Sequence, residues 1–326
     1  MMTRRLFVAM AMCGAALAGC GGENAPDGSA ASGGGDRKYT IAVLPKGVGH
    51  QFWLTVRAGA DAAGKDLNAE IIWNGPDKET EIARQINIVQ DMISRKVDAI
   101  VMAACDENAL VDVVNQAMDA GIPVITIDSG VKSDRPLSFV ATDNVAAARM
   151  AADTMNTLLG GKGEVGIIPI VPGAATSEMR EQGFKEGVAK YPDIKVVSVL
   201  HCDSDAAKAM SVTEDMMTAH PNLAGIFAES EPGAVGAAQA IEAANKAGKI
   251  VIVGFDASGE EIAALQRGTI QALVVQSPFK MGYDGVKAAI DAIEGRPVEK
   301  RIDTGVTIIT KHNLDTLDVQ KLINPK

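Results

Sequence analysis

The sequence predicts an α/β fold of two similar lobes, each a doubly wound parallel sheet with helices on both faces. Short apolar, β-rich runs alternate with segments of helical period from Tyr39 onward. The same order of elements returns in the second half of the chain. About 290 residues lie beyond the N-terminal region, which is the usual size of two domains.

The first half of the chain predicts the first lobe. Apolar residues at spacings of four, three and four mark one face of a helix over 82–93. A second helix follows Asp106, its predicted N-cap, and ends at Gly121. Strand, helix and strand in this rhythm predict a parallel sheet covered on both faces. The predicted strands are 41–44, 71–73, 99–102 and 124–127.

The second half repeats this plan. The segment AIVMAACDENALVDVVNQAMDAGIPVITID is echoed by GIFAESEPGAVGAAQAIEAANKAGKIVIVGFD, and the two copies end in Asp128 and Asp256. We expect the lobes to join near Thr142 and the chain to end in a polar tail. The predicted elements are strands at 165–170, 196–200, 225–227, 250–253, 272–276 and 306–310, and helices near 176–190, 205–219, 233–247 and 280–293.

The N-terminus predicts export and lipidation. Arg4 and Arg5 precede thirteen mostly apolar residues, and LAGC resembles the lipobox of bacterial lipoproteins. Residues 1–19 are therefore a predicted signal peptide, and Cys20 is the predicted acylated residue that anchors the chain to the membrane. Residues 20–37 are a predicted flexible tether, and its Gly- and Ser-rich part, 21–36, has a predicted reach of about 20–24 Å. The alternatives are an ordinary cleaved signal with an incidental cysteine, and an N-terminus with no role in spacing.

Composition and charge exclude several classes. The net charge is −10 with 31 Lys and Arg against 41 Asp and Glu; loss of Arg4 and Arg5 leaves 29 against 41, or −12. An acidic chain without clustered Lys and Arg argues against nucleic acid. Cys105 and Cys202 are expected to be separate buried thiols, with a single disulfide as the alternative.

Candidate ligand-binding residues follow the predicted strands. Ligands of open parallel sheets bind beyond the carboxyl ends of the strands, so two facing lobes predict a cleft there. Aromatic rings suit the C–H face of a polyhydroxylated molecule, and carboxylates, amides and a guanidinium suit its hydroxyl groups. The candidates are Lys46, His50, Phe52, Trp53, Asp128, Arg180, Ser230, Asp256 and Gln276.

Each candidate also has a structural interpretation. Phe52 or Trp53 packs against the sheet in one alternative, and Asp128 and Asp256 form turns or caps in another. Arg180 has a surface alternative, in which it pairs with a nearby glutamate. In the alternative for Lys46 and His50, both are solvated loop residues. In the alternative for Gln276, its side chain only caps or pairs backbone groups.

These residues resemble a known family, the periplasmic sugar-binding proteins of the ribose-binding type, which are partners of ABC importers and relatives of the effector domains of LacI-type repressors. The likeness runs from about Tyr39 to Thr310. Its anchors, in order, are HQFW at 50–53, AGIPVITID ending in Asp128, TDN at 142–144, ATSEMREQGF around Arg180, AHPNLAGIFAES ending in Ser230, VGFD ending in Asp256, and Gln276 before Ser-Pro.

The resemblance implies the type I arrangement of periplasmic binding proteins, with a three-segment hinge near Thr142, Ser277 and Asp303. The lobes are then 38–141 plus 277–303, and 142–276 plus 304–326. The implied function is capture of a monosaccharide or polyol, by a monomeric extracytoplasmic lipoprotein, for delivery to an ABC permease. The positions that match the family's ligand contacts in type are Phe52, Trp53, Asp128, Arg180, Asp256 and Gln276.

Departures from the pattern of the ribose binders disfavour ribose itself as the ligand. Ser129 stands where ribose binders have an arginine, Ser204 replaces an aromatic residue, and Ala103 and Ser230 replace asparagines. His50 also stands where they have an asparagine. The segment LPKGVGHQFW resembles the rhamnose and autoinducer-2 branch, in which the lysine matching Lys46 contacts ligand. The ligand is then another monosaccharide, a polyol or a furanose-like signal.

Other function classes are weaker. One alternative is a sensing function, in which the lipid-anchored protein binds its ligand in the same pocket and its liganded form docks on a receptor or kinase. An enzyme is not expected, and neither is a cofactor or a metal, because the sequence has no phosphate loop, no zinc-type spacing and no G-x-S-x-G motif.

Overall fold

The computed structural model of the chain describes residues 38–324. The predicted signal peptide (1–19), the lipidation site Cys20 and the predicted tether (20–37) lie outside the described residues.

Twelve strands form two sheets of six in the described residues. The central strands of both sheets are short, apolar and largely buried, as expected of parallel sheets that are covered on both faces. The strands are β1 Tyr39–Leu44, β2 Ala69–Trp73, β3 Ala99–Met102, β4 Val124–Ile127, β5 Ser138–Ala141, β6 Gly163–Ile168, β7 Ile194–Val199, β8 Leu223–Ala228, β9 Val251–Phe255, β10 Ala272–Gln276, β11 Arg301–Asp303 and β12 Val306–Ile309.

The two sheets have the same order of strands. The first is β11-β5-β4-β3-β1-β2, and the second is β12-β10-β9-β8-β6-β7. Every pair in the first sheet is parallel, and in the second sheet only β12 is antiparallel to its neighbour β10. The internal duplication predicted from the sequence is therefore present as two copies of one topology.

Ten helices cover both faces of both sheets in the part of the chain that the structure describes. Alternate side chains of β1 show how the layers form: Ile41 and Val43 face one core, whereas Ala42 and Leu44 face the other. The helices are α1 Gln51–Asp66, α2 Ile82–Ser94, α3 Val111–Asp119, α4 Asn144–Leu159, α5 Ala175–Val188, α6 Ala206–Ala219, α7 Glu231–Ala243, α8 Gly259–Arg267, α9 Pro278–Ile293 and α10 Leu317–Ile323.

Each lobe has one core on either side of its sheet. In the first lobe, α1 and α9 cover one face and α2 and α3 the other. In the second lobe, α4 and α5 cover one face, while α6, α7, α8 and α10 cover the other. The lobes are joined by three short segments: between β5 and α4, between β10 and α9, and between β11 and β12.

Helices α1 and α9 approach each other at the distance of backbone contact. A methyl group at Gly59 would lie 1.9 Å from the carbonyl oxygen of Phe279, and one at Gly282 would lie 2.0 Å from the carbonyl oxygen of Val56. Only glycine fits at these two crossing points. Because α9 begins directly after the second interlobe segment, this contact ties that segment to the first lobe.

Several expectations about elements are wrong. The C-terminal polar tail is instead the helix α10, which buries Val319 against the second lobe. Asp106 does not cap α3: the helix begins five residues later, and the carboxylate accepts hydrogen bonds from the backbone of Asn108 and Ala109 in the preceding turn. Strands β5 and β11 and helices α4 and α8 are not among the predicted elements. Cys105 and Cys202 are separate buried thiols, as expected.

We expect Gly282→Ala to lower the free energy of unfolding by about 2 kcal/mol, because the added methyl group forces α9 away from α1. Thermal or urea melting of the ligand-free protein measures this loss. Gly259→Ala is the matched control, since a methyl group there meets nothing within 4 Å. Equal stability of the two variants would contradict the close packing of the helices.

Candidate functional site

The carboxyl ends of the strands of both sheets meet at one cavity between the lobes. The space between its lining atoms, counted out to the open solvent, is about 320 Å³. The structure brings all nine sequence-predicted site residues together around it. They are joined there by five further residues, and the full lining is Lys46, His50, Phe52, Trp53, Glu79, Asp128, Ile170, Arg180, Ser204, Ser230, Glu231, Pro232, Asp256 and Gln276.

Lys46 is the buried cation of the first lobe. It follows β1, and its Nζ lies 3.0 Å from the Asp128 carboxylate and 3.7 Å from that of Glu79. Nζ also donates a hydrogen bond of 3.0 Å to Thr176 Oγ1 in the second lobe. Burial acts to lower the pKa of Lys46, but the two carboxylates overcome it and raise that pKa above its ordinary value. The lysine is therefore charged, and the solvated-loop interpretation is excluded.

Phe52 and Trp53 open α1 and form the apolar side of the cavity. Their rings pack edge to face with centroids 4.9 Å apart. Trp53 is 1% exposed and belongs to the core, while its Nε1 donates to Glu79 Oε1 at 2.9 Å. Trp53 is thus part of the hydrophobic core and also part of the cavity wall. Phe52 is partly buried beside it.

Arg180 is the buried cation of the second lobe. It is 2% exposed, and its guanidinium stacks on the Phe255 ring at 3.6 Å. Nε donates to Asn144 Oδ1 at 2.8 Å, and Nη1 donates to the Glu229 carbonyl oxygen at 2.6 Å. The alternative of a surface pair with a neighbouring glutamate is therefore wrong. These contacts hold the planar group rigidly while one of its nitrogens, Nη2, stays available.

Asp256 and Gln276 lie side by side at the ends of β9 and β10. Gln276 Nε2 donates to Asp256 Oδ1 at 2.7 Å. Burial raises the pKa of Asp256 to about 6, although Arg180 and the Gln276 hydrogen bond act to lower it. Burial likewise raises the pKa of Glu229 and of Glu261, which lie behind this part of the cavity, well above their ordinary values.

The two strand-end aspartates share an uncommon backbone conformation. Asp128 has a φ of 53° and Asp256 a φ of 86°, in the left-handed region that few residues other than glycine adopt. Helix α8, which follows Asp256, is capped by Ser258 instead, and the Asp128 carboxylate pairs with Lys46. Neither aspartate is a helix cap. The strained turn aims each carboxylate at the cleft.

Three polar atoms of the cavity lining have neither a hydrogen bond nor an ion pair within the described part of the chain. They are Arg180 Nη2, Ser230 Oγ and Gln276 Oε1. One is a donor, one is an acceptor, and the hydroxyl is both. Buried polar groups are normally paired, so this set is matched to a ligand that both donates and accepts.

The remaining predicted residue, His50, bridges the lobes at the rim of the cavity. Its Nε2 lies 3.4 Å from Ser204 Oγ, and it is only partly exposed. Ser204 adopts a φ of 56° and occupies the wall position where the resemblance implied an aromatic ring. The cavity is therefore polar at this end.

Sequence reasoning missed Glu79, which is 5% exposed, and Glu231. Glu79 lies in the loop after β2, so the rule applied to the other strands would have found it. Glu231 directly follows Ser230 and starts α7. A carboxylate in the first turn of a helix has an ordinary role there, and nothing in the sequence distinguishes it.

Across residues 38–324, no cluster of three or more His, Cys, Asp or Glu side chains is arranged to hold a metal ion. In the same region, no helix combines the length and the apolar character needed to cross a membrane.

Residues 41–297 match the periplasmic binding protein domain, and the chain belongs to that family. Among curated relatives, it is 32% identical over 285 residues to the D-ribose/D-allose-binding protein of Pseudomonas aeruginosa, covering 84% of this chain and 89% of the relative. It is 29% identical to the ribose import binding protein of Bacillus subtilis, covering 85% and 89% of the two chains.

Solved structures share the fold closely. A solute-binding protein of an ABC transporter from Agrobacterium vitis, with bound D-fucose, is 38% identical with a TM-score of 0.85, covering 87% of this chain and 100% of that one. A carbohydrate transporter solute-binding protein from Agrobacterium radiobacter, in complex with D-arabinose, is 36% identical with the same TM-score, 0.85, covering 88% and 99%. These likenesses confirm the predicted two-lobed fold.

We expect the stability of the ligand-free protein to rise as the pH falls from 7.5 to 5.5. The native pKa of Asp256, about 6, exceeds its ordinary 3.8, so the native state holds a proton that the unfolded chain has lost. The stabilisation from Asp256 amounts to about 1 kcal/mol. Urea melting at both pH values measures it.

Asp256→Asn is the control for this pH dependence, because the amide keeps the size of the side chain and does not titrate. The difference in unfolding free energy between wild type and variant isolates Asp256 from Glu229 and Glu261. Parallel pH profiles of the two proteins would contradict the raised pKa.

Proposed function

We propose that this chain is an extracytoplasmic solute-binding lipoprotein that captures a neutral monosaccharide or polyol between its lobes and delivers it to an ABC importer. The observation that carries the proposal is the convergence of unpaired Arg180 Nη2, Ser230 Oγ and Gln276 Oε1 on one interlobe cavity beside two aromatic rings.

The lining suits hydroxyl groups. A sugar hydroxyl donates to the carboxylates and to Gln276 Oε1 and accepts from the Arg180 guanidinium, while its ring C–H face packs on Phe52 or Trp53. A hydrogen bond to a charged group contributes about 1.5–3 kcal/mol. A few such bonds reach the roughly 8 kcal/mol that corresponds to micromolar affinity.

The named ligands of the relatives support the same class. D-fucose, D-arabinose, ribose and allose are neutral sugars with several vicinal hydroxyl groups, and this chain is similar to the proteins that carry those names. Ser204 and Ser230 line this cavity where the resemblance to ribose binders implies an aromatic residue and an asparagine, and Ser129 stands where it implies an arginine. We therefore favour a monosaccharide other than ribose.

The lobes of this clamp are proposed to be 38–141 plus 277–303 and 142–276 plus 304–326. Their three short connections, together with the cavity between them, support closure by a hinge. In this proposal the chain acts as a monomer, catalyses no reaction, and presents its closed form to the permease.

We expect one neutral sugar from a panel that includes D-fucose, D-arabinose, D-allose and xylitol to raise the melting temperature of residues 36–326 by several degrees, because it binds only the native state. Arg180→Ala and Asp256→Asn should each lower the affinity for that sugar at least tenfold, because each variant loses a hydrogen bond between the sugar and a charged group. Isothermal titration calorimetry measures the affinities.

Arg95→Ala is the matched control, because Arg95 forms an exposed ion pair with Asp91 on α2 and should leave the affinity unchanged. Circular dichroism verifies that each variant is folded, and Arg180→Lys provides a second test that keeps the buried charge. Wild-type affinity in all three site variants would overturn the assignment of the site.

We expect Cys20→Ser to abolish incorporation of labelled palmitate and to release the protein from the membrane fraction, because the serine hydroxyl cannot replace the acylated thiol. Cys105→Ser is the control, since Cys105 is buried in the first lobe. Unchanged labelling of the Cys20 variant would contradict the lipid anchor.

A further inference from the structure

A carboxylate of the second lobe lies on the N-terminus of a helix of the first lobe. Glu231 Oε1 accepts a hydrogen bond of 3.2 Å from the backbone N–H of Gln51, and its Oε2 accepts one of 3.0 Å from that of Phe52. The contact joins two residues about 180 positions apart in the chain. It is a bridge across the mouth of the cavity, which Glu231 also lines.

Helix α1 has no local partner for these donors. The first N–H groups of a helix lack intrahelical acceptors, and the partial positive charge there favours an anion. Its N-cap residue, His50, makes no capping hydrogen bond with its side chain within the described residues. The first turn, Gln51-Phe52-Trp53, carries no acidic residue. Glu231 therefore supplies, from the other lobe, the acceptor and the negative charge that the sequence around α1 lacks.

The interlobe contact of Glu231 involves a residue that also forms the aromatic wall of the cavity. Phe52 is at once a hydrogen-bond donor to Glu231 and part of the wall, and Trp53 follows it. The contact exists only when the lobes are together, as do the bonds from Lys46 to Thr176 and from His50 to Ser204. Glu231 is the only one of these three bridges that brings a carboxylate to α1.

The Glu231 carboxylate also occupies the position at which an anionic group of a ligand would bind. A helix N-terminus beside a cavity is an anion-binding position, and here it is occupied. The lining also carries Glu79, Asp128 and Asp256 against two cations, Lys46 and Arg180. Lys46 is already paired with Asp128, and Arg180 keeps only Nη2 free. The helix N-terminus is occupied, and the four carboxylates of the lining outnumber the two cations, so a carboxylate or phosphate on the ligand would meet net repulsion.

We propose that Glu231 is a positioning and specificity-determining residue: it fastens the closed form by capping α1 from the opposite lobe, and it excludes anionic sugars from the cleft. The exclusion rests on the proposed function, because it concerns which sugars bind. The fastening rests on the contact alone.

Glu231→Gln tests both parts, since the amide keeps the shape but loses the charge and one acceptor oxygen. Glu260→Gln is the matched control: Glu260 lies in the first turn of the neighbouring helix α8 and is exposed. The probes are D-fucose and D-galacturonate, which differ at C6 by a methyl group against a carboxylate, together with D-arabinose and its 5-phosphate.

We expect Glu231→Gln to lower the affinity for the neutral sugar about fivefold. The ratio of the affinities for the neutral sugar and its anionic analogue should fall at least tenfold. In the ligand-free protein, hydrogen exchange at the amides of Gln51 and Phe52 should accelerate, and the radius of gyration from X-ray scattering should increase. Glu260→Gln should match the wild type in every measurement.

The proposal is overturned if Glu231→Gln matches Glu260→Gln in hydrogen exchange and in scattering. The role of Glu231 in specificity is overturned if the variant prefers the neutral sugar over the anionic analogue as strongly as the wild type does. If the wild type binds none of the neutral sugars, the proposed function fails instead, and the ligand-free measurements still decide whether Glu231 fastens the lobes.

Discussion

One buried cation in each lobe is the constraint on which the cleft depends. Lys46 compensates Asp128 and Glu79 in the first lobe, and Arg180 lies among Asn144, Glu229 and Phe255 in the second. A buried carboxylate without such a partner is costly. The two cations therefore allow buried carboxylates to line the cavity. Each cation is also held in place by bonds to the rest of the protein.

The duplicated topology places these groups. Both sheets run their strands toward the cavity, so the residues that follow corresponding strands face each other across it. Asp128 and Asp256 occupy equivalent places in the two copies and share the left-handed backbone. Their environments nevertheless differ, because Asp128 pairs with an ammonium group while Asp256 pairs with a neutral amide. This difference in partners accompanies the raised pKa of Asp256.

Much of the fold and of the site follows from the sequence, and the exceptions have physical reasons. Runs such as those of β3 and β4 are apolar and buried on both faces, which makes them recognisable. The edge strand β11 is short and mostly exposed, so it resembles a loop. The strand-end rule found nine lining residues, but spacing cannot reveal depth, and the burial of Arg180 needed the structure. Glu231 contacts a helix about 180 residues away, and no local pattern encodes such a partner.

The contact of α9 with α1 has a mechanical consequence. Gln276 ends β10, one residue crosses to the other lobe, and α9 begins at Pro278. Because Gly59 and Gly282 leave no gap between the two helices, α9 cannot slide or tilt without moving α1. In the proposed hinge closure, a rotation about Ser277 would therefore move α9 and α1 as one unit and carry Phe52 and Trp53, at the start of α1, along with them.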